Sequence, residues 1–409
     1  MKKLSRRDVL KAGALGGAVS SWGMPMFLNS VFANLNSDKK IRMAIVGGGF
    51  GLSYYWHLHP NAIVSAVTDL REERRKALKD RYSCDAVFPS MEVMLEEAPE
   101  TFDAVGIFTP APDHVRHAVM CLKKGKHVIS AVPAAMTIEE CEELRDAVEK
   151  SGKHYMMAET SYYRPSCIAA RDFAQEGKFG NIIFTEAEYH HPHSPNYPKR
   201  DNRLDVWRWG LPPMLYPTHC TAFLVGVTGE RLTQVNCIGY DNGDPSLKGN
   251  PYDNPFMGEV AFFKTNRNNT MRVAVLWAGA VAFCERAQWI GEKMSFYDYL
   301  PGIYGYKERR VNIDKEKDPE GFVYGNPVTA DWTKKDYDSA LPQTLAEGFG
   351  KHHDGAEVFL THEFVSALVE DRSPAVNVYE ALAMTAPGIV AHQSALKGGV
   401  QLAVPQFDR

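Results

Sequence analysis

The sequence predicts an α/β protein with two domains: a doubly wound parallel sheet in the N-terminal part and an α+β domain with a largely antiparallel sheet in the C-terminal part. In the N-terminal part, short and continuously apolar runs alternate with segments of helical periodicity, which is typical of a parallel sheet covered on both faces. A glycine-rich turn directly follows the first of these runs. In the C-terminal part, strand-like runs follow one another with few helical segments between them, which favours antiparallel pairing.

The composition is that of a globular protein large enough to bury a core. The chain has 409 residues, of which 44% are hydrophobic and 23% are charged, and its formal net charge is −4. No basic block provides the electrostatic footprint of a nucleic-acid-binding protein. The seven cysteines are isolated from one another in the sequence, which predicts buried thiols rather than disulfides or a zinc site.

The first 33 residues are predicted to be an export signal. They combine five Lys or Arg residues, a weakly apolar run rich in Gly and Ala, and a site of small residues that ends at Ala33. The segment Ser5-Arg6-Arg7-Asp8-Val9-Leu10-Lys11 resembles a twin-arginine signal. We therefore expect a periplasmic or otherwise exported protein without a membrane span. Loss of five basic residues and one acidic residue would leave it with a net charge of −8.

The N-terminal domain is expected to cover residues 34–160. Its predicted strands are residues 41–46, 63–68, 104–108, 127–130 and 155–158. Thr137 and Glu140 form a capping box at the start of a predicted helix that runs to Lys150.

The turn after the first strand is predicted to bind a dinucleotide. Its sequence, Gly47-Gly48-Gly49-Phe50-Gly51, lets backbone N–H groups approach a pyrophosphate at the N-terminus of the following helix. Asp69 ends the second strand 20 residues after Gly49, where its carboxylate would accept hydrogen bonds from the adenosine ribose. An acid there favours NAD, while three nearby arginines, Arg71, Arg74 and Arg75, leave NADP open or form a solvated face.

Two segments further along carry a family pattern, Thr109-Pro110-Ala111-Pro112-Asp113-His114 and Gly125-Lys126-His127-Val128. With the glycine turn they resemble the Gfo/Idh/MocA oxidoreductase family over nearly all of the chain after the signal. The resemblance implies a Rossmann domain, NAD as cofactor, and cofactor contacts from Gly47, Gly49, Phe50, Gly51, Asp69, Thr109, Pro110, His114 and Pro133. The family's Glu-Lys-Pro tripeptide appears here as Ala131-Val132-Pro133. Because valine carries no proton, the lysine of the usual dehydrogenase reaction is missing.

A narrower resemblance concerns three segments, Tyr155-Met156-Met157-Ala158-Glu159-Thr160-Ser161-Tyr162-Tyr163-Arg164, Trp207-Arg208 and Leu215-Tyr216-Pro217-Thr218-His219. They are similar to the NAD-dependent glycosidases of glycoside hydrolase family 109, which also lack the lysine. The resemblance implies that Tyr163 and His219 are the catalytic tyrosine and histidine, with Tyr162 as an alternative to Tyr163. Since tyrosine has an ordinary pKa of about 10, it needs a neighbouring cation to act as a base, and Arg164 or the nicotinamide ring would supply one.

Substrate contacts are expected from His191, Trp207, Arg208, Tyr216 and His353. Trp207 would offer an apolar face to a sugar ring, although a core position explains it equally. Arg208 either pairs with an acidic substrate or is solvated. His191 and His193 can share one strand face, but without a clear carboxylate partner no metal site is predicted. His353 begins the segment His353-Asp354-Gly355, similar to a His-Gly-Gly element, in which Asp354 alternatively caps a helix.

Residues 161–409 are expected to form the substrate and oligomerisation domain. Its predicted strands are residues 182–189, 232–239, 259–264, 271–276, 281–290 and 293–297, followed by a loop-rich stretch at 301–350 and helical spacing at 356–369 and 379–396. The two helices are expected to return to the nucleotide domain. By family analogy, the sheet is expected to pair in a homodimer or tetramer.

These features predict an exported enzyme that acts on a carbohydrate with NAD. Since an exported enzyme meets little free cofactor, NAD that stays bound and is restored in every turnover suits this location. Redox-neutral cleavage of a glycoside through a keto intermediate fits this requirement, and so does hydride exchange between two sugars. A sugar dehydrogenase and a non-catalytic sugar- or nucleotide-binding protein are the alternatives. The expected partners are the carbohydrate and the twin-arginine export machinery, not nucleic acid.

Overall fold

The fold is built on two β-sheets joined by helices. The computed structural model describes residues 37–192, 207–241, 243–299, 305, 307–310, 328–346 and 353–408. The predicted export signal, His193 and most of the predicted loop-rich stretch lie outside these ranges.

Six parallel strands form the N-terminal sheet, in the order β3-β2-β1-β4-β5-β6. The strands are β1 (Ile41–Val46), β2 (Ala62–Thr68), β3 (Val87–Phe88), β4 (Ala104–Ile107), β5 (His127–Ser130) and β6 (Tyr155–Met157). The helices between them are α1 (Glu72–Tyr82), α2 (Met91–Glu97), α3 (His114–Lys123) and α4 (Ile138–Ser151). This strand order is that of the Rossmann fold, so the predicted doubly wound parallel sheet is confirmed.

The connection from β1 to β2 differs from the prediction. Two 3-10 turns, Phe50–Ser53 and Trp56–Leu58, stand where the helix after the glycine turn was expected. Three consecutive aromatic side chains here, Tyr54, Tyr55 and Trp56, are all buried. Successive side chains of an α-helix point about 100° apart, so a helix with one buried face could not bury all three. The expectation of a pyrophosphate at the N-terminus of an α-helix is therefore wrong for this chain.

Nine strands form the C-terminal sheet, in the order β14-β13-β12-β11-β7-β10-β9-β8-β15. They are β7 (Ile182–His190), β8 (Leu232–Tyr240), β9 (Gly258–Thr265), β10 (Thr270–Leu276), β11 (Cys284–Gly291), β12 (Met294–Tyr297), β13 (Lys307–Arg310), β14 (Val328–Asp331) and β15 (Leu402–Ala403). The β7–β10 pair is parallel and the other pairs are antiparallel. The prediction of a largely antiparallel sheet is confirmed.

Helices cover one face of this sheet. The helices of this part of the chain are α5 (Pro165–Gln175), α6 (Thr218–Thr228), α7 (Gln343–Ala346), α8 (Ala356–Glu370) and α9 (Val378–Leu396), of which α6 and α9 lie directly against the strands. The Nε1 atom of Trp289 on β11 donates a hydrogen bond to the carbonyl oxygen of Phe223 on α6, at 2.7 Å. Because strand side chains alternate between faces, Tyr189 on β7 and its cross-strand partner Glu285 on β11 point towards the helices as Trp289 does. Both are buried.

The C-terminal helices contact both sheets. The N–H of Met157 on β6 donates to the carbonyl oxygen of Val376, just before α9, at 2.9 Å. Further along α9, the Ser394 hydroxyl accepts from the N–H of Cys237 on β8 at 3.0 Å. The seven cysteines are buried free thiols, as predicted. Within the described ranges, no helix is long and apolar enough to span a bilayer.

We expect a buried histidine pair to make the fold sensitive to acid. His59 Nε2 lies 3.0 Å from His362 Nδ1 on α8, with both side chains buried. Burial, His362 and Lys40 lower the pKa of His59 to about 3, whereas in the unfolded chain it is about 6.5. The unfolded state therefore binds more protons between these values, so the free energy of unfolding should fall as the pH drops below about 6.5.

Urea unfolding at a series of pH values measures this effect. His59→Gln should flatten the slope of unfolding free energy against pH between about 6.5 and 4. His57→Gln, two residues away and exposed, is the control and should flatten it less. An unchanged slope in His59→Gln would assign the acid sensitivity to other groups.

Candidate active site

The glycine turn lies at the carboxyl edge of the parallel sheet, between β1 and β4. Gly47 has a φ of +100°, and a Cβ atom at this position would lie 2.4 Å from the carbonyl oxygen of Phe108. The N–H of Gly48 donates to Asp69 Oδ2 at 2.6 Å. The turn therefore requires glycine at position 47, and Asp69 holds it against the end of β2.

A cation stands beside this turn. The Arg74 guanidinium Nη1 lies 3.5 Å from the position that a Cβ atom on Gly49 would take. The turn thus leaves free space beside Gly49, with a positive charge next to it. A 3-10 turn follows rather than an α-helix. Arg75 instead donates to the carbonyl oxygen of Asp69 at 2.8 Å. A glycine cradle, the Asp69 carboxylate and a guanidinium suit the pyrophosphate and ribose of a dinucleotide.

His114 does not lie where a cofactor contact was expected. It is 1% exposed, its Nδ1 lies 2.8 Å from the carbonyl oxygen of Pro133, and its Nε2 lies 2.9 Å from that of Thr109. Both ring nitrogens are thus engaged by backbone. His114 links the loop after β4 to the loop after β5. Thr109, Pro110 and Pro133 belong to these loops, at the carboxyl edge of the sheet. The hydroxyl of Thr109 contacts His117 Nδ1 at 2.9 Å.

Phe50 connects the glycine turn to the C-terminal part of the chain. Its ring centroid lies 5.8 Å from that of His353, in an edge-to-face arrangement. His353 Nδ1 is 2.6 Å from Glu357 Oε1 at the start of α8. Burial lowers the pKa of His353, but the hydrogen bond to Glu357 and the charges of Glu357 and Glu285 together outweigh burial and raise the pKa above its ordinary value. Two sequence predictions, Phe50 and His353, therefore meet at one place.

Arg164 pairs with two carboxylates of the C-terminal domain. Its Nη2 lies 2.7 Å from Asp354 Oδ2, and its Nη1 lies 3.6 Å from Glu285 Oε2 on β11. Asp354 has a φ of +54° and is no helix cap by its side chain. Arg164 is thus held in a network of acids rather than beside a tyrosine hydroxyl.

His219 lies at the centre of the site, in the first turn of α6. Its Nδ1 is 2.8 Å from Glu159 Oε1 and 3.6 Å from Glu285 Oε1. The Ser161 hydroxyl lies 3.3 Å from the same nitrogen and donates to Glu285. The imidazole is 5% exposed, and Glu159 is fully buried. One histidine is therefore enclosed by two carboxylates from different elements.

This enclosure changes the acid strength of both groups. Burial lowers the pKa of His219, but the Glu159 and Glu285 carboxylates outweigh burial and raise it to about 10. For Glu285, burial raises the pKa, while the positive charges of Arg164 and His219 bring it below its ordinary value. At neutral pH the site thus holds a charged imidazole next to ionised Glu285.

Tyr163 lies on the far side of the same 3-10 turn (Thr160–Tyr163). Its ring stacks on Phe359 of α8 with a centroid distance of 5.9 Å, and its buried hydroxyl has no hydrogen-bond partner among the described residues. Burial raises its pKa well above the ordinary value. The adjacent Tyr162 packs against the guanidinium of Arg171 instead. These surroundings argue against either tyrosine as the catalytic base.

Aromatic rings line the other side of His219. Tyr189 stacks on it at 4.7 Å, and the Tyr216 ring lies 5.1 Å away. Phe283, which is 49% exposed, packs edge to face on His191 at 5.4 Å. The Tyr216 hydroxyl accepts from Arg208 at 3.3 Å, and the Arg208 guanidinium lies 4.5 Å from the Trp207 ring. The predicted substrate residues His191, Trp207, Arg208 and Tyr216 therefore lie along one side of His219.

Two clusters of side chains have the spacing of metal ligands. In each cluster the ligand atoms lie within 4.8 Å of one another: Glu188, His190 and Cys284 form one, and Glu159, His219 and Glu285 form the other. Glu188 is paired with Arg272 and Arg286, and the second cluster is joined internally by its own hydrogen bonds. Neither is assigned here as a metal site.

Comparison with known proteins identifies the N-terminal domain. Residues 41–159 match the Gfo/Idh/MocA family, described as "Oxidoreductase family, NAD-binding Rossmann fold". These residues form a Gfo/Idh/MocA oxidoreductase domain. The predicted resemblance to this family, the predicted cofactor NAD and the prediction of an enzyme are confirmed.

Relatives extend the likeness beyond this domain to the rest of the chain. It is 26% identical over 448 residues to a glycosyl hydrolase family 109 protein of Solibacter usitatus, covering 100% of this chain and 98% of that protein. A segment of 92 residues is 42% identical to an alpha-N-acetylgalactosaminidase of Bacteroides fragilis and covers 22% of each chain.

Solved structures show the same fold. A levoglucosan dehydrogenase in complex with NADH and levoglucosan superposes with a TM-score of 0.72 at 18% identity, covering 90% of this chain and 100% of that one. A scyllo-inositol dehydrogenase of Lactobacillus casei gives 0.66 at 17% identity, covering 89% and 98%.

Sequence reasoning missed several residues of the site. Glu159, Ser161, Tyr189, Phe283 and Glu285 had no assigned role. Glu159 and Ser161 lie in the motif at 155–164, and Tyr189 ends the predicted strand at 182–189. Polar or aromatic side chains next to a strand end could therefore have been proposed as site residues. Glu285 and Phe283 had no such signal, because only the pairing of β11 with β7 brings them to His219.

A pair of glycine substitutions tests the cofactor turn. Gly47→Ala should lower the Tm by about 5 °C or more and reduce the NAD that copurifies, because its Cβ would meet the Phe108 backbone in a left-handed conformation. Gly49→Ala is the matched control: its Cβ would contact only the end of the Arg74 side chain, so the Tm should change little. Equal Tm values for both variants would contradict the described turn.

Proposed function

We propose that this protein is an exported NAD-dependent enzyme that cleaves a glycosidic bond by a redox-neutral route through a keto sugar. The observation that carries the proposal is the buried His219 cluster, which Arg164, Asp354, His353 and Phe50 connect to the glycine turn. The similarity to family 109 glycosyl hydrolases along the whole chain supports it. So does Val132, because the loop after β5 offers no lysine to exchange the proton of a simple dehydrogenase reaction.

The residues present fit NAD. Gly47–Gly51 would hold the pyrophosphate, with Arg74 beside it, and Asp69 would accept hydrogen bonds from the adenosine ribose. Thr109, Pro110 and Pro133 lie at the sheet edge and would border the nicotinamide end. When bound, NAD supplies the means to remove and return a hydride at a sugar carbon.

His219 would serve as the electrophilic group. A charged imidazole can donate a hydrogen bond to the carbonyl oxygen of the keto sugar and stabilise the negative charge that this oxygen gains when the neighbouring C–H loses its proton. Such a loss leads to elimination of the glycosidic group, and the addition of water completes cleavage. This role differs from that of a histidine that takes up the proton of a sugar hydroxyl, because the two carboxylates favour the protonated form of His219.

A carboxylate would serve as the proton acceptor in place of Tyr163. Glu159 Oε2 is buried and has no hydrogen-bond partner among the described residues, while its Oε1 accepts from His219 and from the N–H of Ser161. One oxygen thus holds His219, and the other is free to accept a proton. The sugar would be bordered by the exposed ring of Phe283 and by the side chains of His191, Trp207 and Arg208. Aromatic rings suit the apolar C–H faces of a sugar.

An exported location would favour this chemistry. NAD that crosses the membrane bound to the folded protein is restored in every turnover, so it need not be replaced by free cofactor. The signal at residues 1–33 and the twin-arginine pathway are part of the proposal. Fusion of residues 1–36 to a reporter, with Arg6 and Arg7 both replaced by Lys as the control, tests the pathway directly.

Incubation of the as-purified protein with a panel of glycosides in heavy water tests the reaction. NAD should be released on denaturation and identified by mass spectrometry, and cleavage should proceed without added cofactor. The released sugar should carry deuterium at the carbon next to the oxidised centre, because elimination exchanges that proton. Turnover without deuterium would instead indicate direct hydride exchange, as in a sugar dehydrogenase or sugar–sugar oxidoreductase. A protein that retains NAD and acts on no sugar would be a binding protein.

Two substitutions separate the candidate catalytic groups. His219→Gln should lower kcat/KM by at least about 10²-fold while NAD remains bound, because the charged donor is lost. Tyr163→Phe should leave kcat/KM within about 3-fold and the Tm unchanged or higher, because the hydroxyl it removes is buried without a partner. Steady-state kinetics and thermal unfolding measure both. A large loss in Tyr163→Phe would restore the tyrosine as the base.

A further inference from the structure

Glu285 is a buried acid in an unusual position. Its side chain is 1% exposed, yet its carboxylate makes no direct hydrogen bond to His219, whose Nδ1 is already bonded to Glu159 at 2.8 Å. Glu285 Oε1 stands 3.6 Å from that nitrogen, and Glu285 Oε2 stands 3.6 Å from Arg164. Burying an ionised carboxylate is costly unless cations compensate for it. Glu285 therefore acts on His219 mainly by its charge.

Ser161 fixes Glu285 in place. Its hydroxyl donates to Glu285 Oε1, lies 3.3 Å from His219 Nδ1 and is also 3.1 Å from the His219 carbonyl oxygen. The N–H of Ser161 donates to Glu159 Oε1 at 2.9 Å. A single residue thus orients both carboxylates towards one imidazole.

We propose that Glu285 is a positioning residue that keeps His219 charged, so that His219 acts as a proton donor and anion stabiliser rather than as a base. This assignment rests on the proposed glycosidase reaction for its role in catalysis. The effect on His219 itself requires no substrate.

The other groups around His219 do not supply this negative charge. Besides Glu159 from the loop after β6, they are Tyr189 and His191 from the end of β7, Tyr216 before α6, Arg164 before α5 and His353 before α8. The Tyr189 phenol is neutral, because burial raises its pKa well above the ordinary value. Arg164 is positive, and the histidines are neutral or positive, so they oppose the charged form of His219. Glu159 and Glu285 are thus the two anions that face it, and the raised pKa of His219 follows from both.

Glu285→Gln isolates the charge. The glutamine oxygen can still accept the Ser161 hydrogen bond, while the negative charge is lost. With 13Cε1-labelled histidine in the purified NAD-containing protein, the His219 signal is assigned by its absence in His219→Gln and followed against pH. The His219 pKa should fall by about one unit or more in Glu285→Gln.

Asp354→Asn is the matched control. It removes a carboxylate from the same network, but Asp354 reaches His219 only through Arg164. The His219 pKa should therefore change less than in Glu285→Gln. If Glu285→Gln does not fold, Glu285→Asp serves instead, with a smaller decrease expected because the charge is retained farther from the imidazole. A His219 pKa that is the same in wild type and in the folded Glu285 variant would overturn the proposal.

The pH dependence of glycoside cleavage completes the test. If His219 works in its charged form, kcat falls as the pH rises through the His219 pKa. Glu285→Gln should then lower the pH of this decrease by the same amount as the pKa shift seen by NMR. An alkaline limb that does not move with the NMR titration would overturn the catalytic part of the proposal. If the NMR shift appears but the wild type cleaves no glycoside, the glycosidase reaction fails while the electrostatic role of Glu285 stands.

Discussion

A charged imidazole enclosed by two buried carboxylates is the interaction on which the rest of the site depends. Each partner comes from a different part of the chain: His219 from α6, Glu159 from the loop after β6, and Glu285 from β11. Because a misplaced buried charge is costly, this cluster requires that both sheets meet in one arrangement. The ion pairs of Arg164 with Asp354 and Glu285 add the start of α8 to this arrangement. These buried charges thus define the relative position of the two sheets more precisely than apolar packing alone would.

The same cluster separates the proposed chemistry from that of a simple dehydrogenase. A lysine after β5 would hold its proton at the nicotinamide side of the site, but Val132 is an apolar, buried side chain. The proton-carrying groups of this chain lie around His219 instead. There, two carboxylates keep the imidazole charged, and one carboxylate oxygen has no partner among the described residues. The site therefore contains a donor and an acceptor in direct contact with each other.

Much of the fold could be predicted from the sequence, because continuous apolar runs and helical spacing report burial directly. The parallel sheet, the antiparallel pairs and the two C-terminal helices follow from these patterns. The 3-10 turns after the glycines did not, since the three buried aromatic residues at 54–56 show their burial only in the folded chain. The capping pair was correct: the Thr137 hydroxyl accepts from the N–H of Glu140 at 3.1 Å.

The site could be predicted in part. His219 and Arg164 were found from their motifs, but their partners were not, because Ser161 and Glu285 are 124 residues apart in sequence. The geometry that argues against Tyr163 as the base has a simple cause. In a 3-10 turn, successive side chains point about 120° apart, so Ser161 faces His219 while Tyr163 faces α8. A motif identifies the turn, but only the folded structure shows which of its side chains faces His219.

The contacts of α9 have a consequence for the order of folding. The segment that begins at Val376 bonds to β6 of the first sheet, and α9 bonds to β8 of the second, through Met157 and Cys237. His353, the partner of Phe50, also belongs to the last 60 or so residues. During synthesis, neither sheet can complete its packing until nearly the whole chain has left the ribosome. The nucleotide domain is first in sequence, but its contacts with Val376 and His353 can form only after those residues have been synthesised.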